Sequence, residues 1–235
     1  MTALLLADPR EAADSAAFLA RLLHWDKAAA VRLQATGGLL AVFGHPPFGG
    51  VLAVRTAELA EAAEPGLDAT VSAGQLLEGI SEQAGTVAVP SSVTGPSWAG
   101  LLPPRGGWRR VADLPSADSI RGVAAAVVAE FRTRTEALPP ERRTRGELDA
   151  LAEEIWSRTL GTTGLPLRVV HAAYALGFLR GVPMPVPVSR VRGAAAEDDL
   201  FVLLAAGRWL RLRTPHGSVA VRRASAPLGL SVSPA

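Results

Sequence analysis

The side chains suited to proton transfer or metal ligation are few: His24, His45, His171, His216 and a single tyrosine, Tyr174. None of the histidines has a second histidine or a carboxylate three or four residues away in a ligand pattern, so no metal site is expected. His171 and Tyr174 lie one helical turn apart and form a conceivable catalytic pair. Their apolar surroundings make a hydrogen-bonded core histidine the preferred reading. His45 falls in a Gly/Pro loop, a place where functional residues gather, and His216 in a turn. Glu197-Asp198-Asp199 offers oxygens to a cation, but calcium needs six to eight and no EF-hand loop surrounds them, so a solvated loop is preferred. Ser91, Ser92 and Ser97 lack the nucleophile-elbow context. Neither phosphate-binding glycine signature is present, and Lys27, the only lysine, follows no glycine-rich loop. The absence of cysteine removes thiolate catalysis, Cys-ligated zinc and disulfides. No cofactor is expected.

What remains is arginine. Lys and Arg total 24 against 22 Asp and Glu, a net charge of +2, and 23 of the 24 are arginines. Abundant Arg, Ala, Gly and Pro reflect GC-rich codons before they reflect chemistry. The distribution is uneven: residues 1–100 hold 5 basic and 10 acidic side chains, residues 101–235 hold 19 and 12. This asymmetry points either to a basic functional surface in the second half or to attraction between the halves. Two clusters stand out: Arg142-Arg143 with Arg145, and Arg208, Arg211, Arg213, Arg222 and Arg223. The first sits beside Glu141 and Glu147, and mutual salt bridges are the preferred reading there.

These residues need elements to hold them. A length of 235 residues with 49% apolar and 20% charged side chains suits a globular core. No apolar run reaches 18 residues, and the first eight residues lack the features of a signal peptide. Asp8-Pro9-Arg10-Glu11 opens a helix to about His24, with Ala12, Ala16, Leu19, Leu22 and Leu23 on one face. Val31, Leu33 and Ala35 alternate with Arg32 and Gln34, and Gly37-Gly38 turns the chain into a return strand. Val51–Thr56 is a third strand. Glu58–Glu64 reads as a short helix. Ala69–Ser72 and Thr86–Val89 are strands, with a helix at Gln75–Ile80 between them. Residues 90–113 are rich in Pro and Gly yet carry Trp98 and Trp108, which predicts an ordered or recognition loop rather than a linker.

The second half begins helical. Ser116 caps a helix with Ile120, Val123, Val127 and Phe131 on one face, and Thr144-Arg145-Gly146-Glu147 is a capping box for a second. A third, almost wholly apolar helix runs from Leu167 to about Leu179, with Gly181 as its stop. Val182–Pro187 is extended and Gly193–Asp199 a loop. Phe201–Leu204 is one strand, and Trp209–Arg213 and Ser218–Arg222 form a hairpin about Thr214-Pro215-His216-Gly217. Leu210 and Leu212 face one way, Arg211 and Arg213 the other. Three helices followed by a basic hairpin resemble a winged helix. Against that, the third helix offers little besides Arg168 and His171 to base edges, and the hairpin lies some twenty residues downstream.

The segments Leu23–Lys27, Trp98–Arg109 and Trp209–Pro215 resemble uncharacterised proteins of Streptomyces and related actinomycetes. The resemblance spans most of the chain, implies a cytoplasmic protein, and carries no activity or catalytic residue. The expected fold is α+β: a β-rich segment 1–112 bearing the Trp loop, then a three-helix segment 113–235 closed by a hairpin. The expected function is a non-enzymatic regulatory or protein-interaction protein with Trp98, Trp108 and Arg109 in its interaction loop. Burial of both tryptophans contradicts that role. The alternative is DNA binding through Arg142, Arg143, Arg211, Arg213, Arg222 and Arg223, which requires them on one face. A second alternative, an enzyme, requires a pocket that pairs His45 or His171 with a carboxylate. A protein partner is expected, nucleic acid is the alternative, and no membrane association is expected.

Overall fold

Asp8 accepts a hydrogen bond from the Arg10 amide at 2.8 Å, and Pro9 takes the first helical position of α1 (Pro9–Trp25). The computed structural model of the chain describes residues 3–63, 67–181 and 197–223. After α1, β2 (Ala30–Thr36) and β3 (Leu39–Gly44) pair across a two-residue turn. Its first residue, Gly37, has φ +60°, a conformation that tolerates few side chains. β4 (Val51–Glu58) adds to β3, and β5 (Leu67–Ser72) adds to the other side of β2. A short α2 (Ala73–Glu78) leads to a small sheet in which β7 (Thr86–Ala88) lies between β1 (Ala3–Leu5) and β6 (Ile80–Ser81).

After the Trp-bearing loop and β8 (Arg109–Arg110) come α3 (Ala117–Ala137), α4 (Arg145–Ser157) and α5 (Leu167–Ala175). β9 (Val202–Ala206), β10 (Trp209–Thr214) and β11 (Gly217–Arg222) complete the strands among the described residues. The large sheet has the order β5-β2-β3-β4-β11-β10-β9-β8, with every pairing antiparallel. Its inner face supplies Val31, Val42, Ala53, Leu210, Leu212 and Val219 to one core. Phe18 and Leu19 of α1, Ile120 of α3, Ile155 of α4 and Val170 of α5 fill the same core from the helical layer. The fold is therefore α+β, with strands of both segments in one sheet.

Ser116 and Thr144 cap α3 and α4 through their hydroxyls, to the amides of Ser119 and Glu147. α5 stops earlier than its apolar run implies. Gly177, at φ +72°, donates to the Tyr174 carbonyl, and Phe178 donates to the Ala173 carbonyl. This is the Schellman arrangement, so Gly177 rather than Gly181 ends the helix. Phe178 then stacks on Phe18 at 5.7 Å between ring centroids.

Three further expectations change. Residues from Glu58 are not helical: β4 continues through Glu58, Leu59 bridges Leu6, and Ala60 donates to the Leu5 carbonyl. Pairing with distant backbone overrides the local Ala/Glu preference for helix. The hairpin is no wing, because β11 pairs with β4 and so sits inside the sheet. Asp198 is not merely solvated, since its carboxylate accepts the Ala117 amide at 2.6 Å at the start of α3. Glu197 pairs with Arg121. Val182–Pro187, Gly193–Ala196 and 224–235 lie outside the described residues.

Candidate interaction surface

Strand alternation puts a second set of side chains on the outer face of the sheet, away from the helices. One row across the strands runs Arg110, Leu204, Arg211, Ala220 and Leu52. Another runs Val202, Arg213, Ser218, Val54 and Phe43. Phe43, Leu52 and Val54 form a small apolar cluster of their own. An uncovered apolar sheet face is costly in water, and the loop between β7 and β8 covers part of this one.

Trp98 packs on that cluster with Leu102 and stacks on His45 at 5.8 Å. The Ala99 carbonyl accepts from Arg32 at 2.6 Å. Arg32 also grips Asp68 through two hydrogen bonds, at 2.7 and 3.0 Å, which hold the Asp68 carboxyl below its ordinary pKa. Further along, Trp108 donates its indole N–H to the Pro104 carbonyl at 2.9 Å, closing a turn. The Arg211 guanidinium lies 5.8 Å from the Trp108 ring centre and donates through Nε to Ser218 Oγ at 2.8 Å. Burial, then the nearby Arg213, lower the pKa of Arg211. Both tryptophans are half-buried, anchoring the loop while Leu101 stays 51% exposed.

The loop leaves the face incompletely covered. A groove of about 220 Å³ has Ala41, Phe43 and Val54 as floor and Pro103, Pro104 and Arg211 as wall. Beyond Pro104 a shallower recess holds Trp209, Arg208 and Arg222. Arg109 is exposed on the edge strand β8, its backbone opposite Ala205.

Ion pairs are more frequent on the helical layer than on the outer sheet face. On the helical layer Arg121, Arg134, Arg142, Arg145, Arg158 and Arg168 each hold a carboxylate. Among the described residues, Arg105, Arg109, Arg110, Arg211, Arg213 and Arg222 form no ion pair, and neither do Arg10, Arg21, Arg132 and Arg143 on the helical side. Arg208 and Arg223 donate to carbonyls, of Arg223 and Gly207 respectively.

The six arginines expected on one DNA-binding face are split between these layers. Arg211, Arg213, Arg222 and Arg223 belong to the hairpin strands and their end. Arg142 binds Glu147, and Arg143 donates to the carbonyls of Leu138 and Glu136, closing the end of α3. Among the described residues neither His45 nor His171 is hydrogen-bonded to a carboxylate, although His171 shares a cleft with Glu153 and Asp149. His45 lies against Trp98 and His171 against Trp156. Nor do three His, Asp or Glu side chains gather to hold a metal ion among the described residues. The contributions of Leu39, Phe43, Trp209 and Arg105 to the grooves escape sequence reasoning. For Leu39, Phe43 and Trp209 the only signal is an apolar or aromatic residue on the polar phase of a strand; Arg105, in the loop, has none.

No helix among the described residues is long and apolar enough to cross a membrane. No curated protein matches the chain. A crystal structure of the DNA polymerase sliding clamp from Pseudomonas aeruginosa, with ligand, superposes at a TM-score of 0.44 with 13% identity. The match covers 96% of this chain and 65% of that one, so the chain spans less than two thirds of the clamp's length. At that score the likeness says nothing about function. Residues 1–100 match a domain of unknown function, DUF8010, and residues 103–226 match a second, DUF8185. With more than half its length in the second match, the chain belongs to the DUF8185 family, a family defined by a domain of unknown function.

Proposed function

We propose that the protein is a non-enzymatic, cytoplasmic interaction protein of regulatory type. Its outer sheet face receives an extended segment, both acidic and apolar, of a protein partner. One observation carries this reading: Arg105 and Arg211 line the apolar groove without an ion pair, and Arg213 and Arg222 stand unpaired on the same sheet face. Acidic side chains of a partner would neutralise Arg105, Arg213 and Arg222, and apolar ones would enter the groove beside Pro103 and Phe43. Trp98 and Trp108 hold the wall of that groove, whereas Arg109, in the inner-face row of the edge strand β8, stands apart from it.

The second reading, DNA binding, keeps Arg211, Arg213, Arg222 and Arg223 but loses the shared face with Arg142 and Arg143. A phosphate backbone would satisfy the charges and leave the apolar floor unused.

The test is fluorescence anisotropy with a labelled Asp/Leu/Phe peptide, its Lys-for-Asp counterpart, and a duplex oligonucleotide, each across a salt series. The acidic peptide is expected to bind, and Arg213→Ala with Arg222→Ala to weaken it about tenfold or more. Duplex binding that falls steeply with salt, without peptide binding, would transfer the surface to nucleic acid. Equal binding of the two peptides, or of neither, removes the charge argument.

A further inference from the structure

On the opposite side of the molecule, a cleft of about 270 Å³ lies between the β3–β4 loop and helices α4 and α5. Its rings form a sandwich. The His171 imidazole stacks on Trp156 at 4.3 Å with the planes 18° apart, and Phe48 meets it edge-on at 4.7 Å. Arg168, one turn before His171, donates to the Gly49 carbonyl at 3.2 Å and to Glu153 at 2.6 Å. Gly49 suits the left-handed backbone there, with φ +66°, and its missing Cβ leaves the space that the Arg168 guanidinium occupies. The two hydrogen bonds of Arg168 hold the guanidinium at the cleft wall. Three of its five N–H groups remain unused.

His171 adds a donor. Its Nδ1 is sealed from solvent and has no hydrogen-bond partner, whereas Nε2 is the ring nitrogen left open. Burial lowers the His171 pKa and so favours the neutral ring, which carries one proton. A buried N–H without an acceptor is the rarer and costlier arrangement. The proton therefore belongs on Nε2, where the cleft can use it. The carboxylates of the cleft stand at its mouth: Glu153 is 67% exposed, and Asp149, 72% exposed, is engaged by Arg145.

We propose that this cleft is a binding site for a small carboxylate with an apolar ring body. Its carboxylate is held by Arg168 and His171 Nε2–H, and its ring lies against Phe48 and Trp156. Arg168 and His171 bring donors to the cleft, and Phe48 and Trp156 bring ring surface. The volume admits a compound smaller than a typical drug. Glu153 already occupies one N–H of Arg168 and opposes a second negative charge, so it limits affinity.

The test uses benzoate and benzylamine as probes in titration calorimetry on the full chain. Benzoate is expected to bind with a Kd of about 1 mM or tighter, and benzylamine not to bind. Arg168→Gln and His171→Phe should each weaken benzoate about tenfold or more. Glu153→Gln should tighten it about fivefold, the effect expected of removing a competing surface charge. Ala152→Leu, which narrows the cleft without touching an ion pair, should abolish binding in a protein whose circular dichroism is unchanged. No benzoate heat in the wild type at 10 mM, or a folded Ala152→Leu that still binds, overturns the proposal. Preferential benzylamine binding weakened by Glu153→Gln overturns its charge.

Discussion

Arg55 points inward from β4 and is only 6% exposed, with one ion pair, to Asp14 on α1 at 3.1 Å. Asp14 also receives Arg180, so a single carboxylate answers two cations. Removing it strands a buried guanidinium. Asp14→Ala is expected to cost about 2 kcal/mol, below the full penalty for a buried pair because Asp14 is itself partly solvated. Arg55→Met, which removes the buried charge instead, should cost less. Urea denaturation midpoints of the two variants test the order. The histidines make a second prediction: His171 and His216 are half-buried, and His45 is more open. Burial is the first cause lowering the pKa of His45, His171 and His216 below 6.5. The unfolded chain therefore takes up protons first as pH falls through 6.5, and stability is lost from there toward the lowered folded values. The urea midpoint should decline between pH 7.5 and 5.5, and His171→Phe should flatten the slope. Asp68, depressed by Arg32, acts in a different window: its contribution persists above its ordinary pKa of 3.8 and is lost in stronger acid.

Elements held by neighbours in sequence were the legible ones. Asp8-Pro9, Ser116 and Thr144 start their helices because the capping oxygen and the amide it accepts are two or three residues apart. The register of Leu210 with Val221 and Leu212 with Val219 follows from one turn. β1, the strand continuation at Glu58 and the place of the hairpin beside β4 depend on partners far along the chain, which periodicity does not encode. The candidate surface has the same character. Trp108 and the hairpin arginines were each visible, but the approach of Arg211 to Trp108 joins strands and loop that are remote in sequence. The loop's hold on the sheet is testable at this scale. Trp108→Ala removes the Pro104 hydrogen bond and the cation–π contact, so trypsin should cut faster at Arg105 and Arg109. The denaturation midpoint should move little, because the main core lies on the other face.

At the scale of the molecule, the two segments share a sheet rather than an interface. β4 of the first segment pairs with β11 of the second, and β8, before the helices, pairs with β9, after them. Fragments 1–112 and 113–235 are therefore expected to aggregate when made separately and to recover native circular dichroism when refolded together. Two well-folded monomers from the separate fragments would contradict this.

The position of β11 also sets an order of events during synthesis. β4 lies near the middle of the finished sheet, yet its second neighbour is Gly217–Arg222. Between their translation the ribosome must add some 160 residues, which takes on the order of ten to thirty seconds. Throughout that interval the nascent chain carries a bare apolar edge, Val51-Leu52-Ala53-Val54, open to pairing with any other strand. In the cell the hazardous period for this protein is thus before its release, and chaperone demand should fall on the half-made chain.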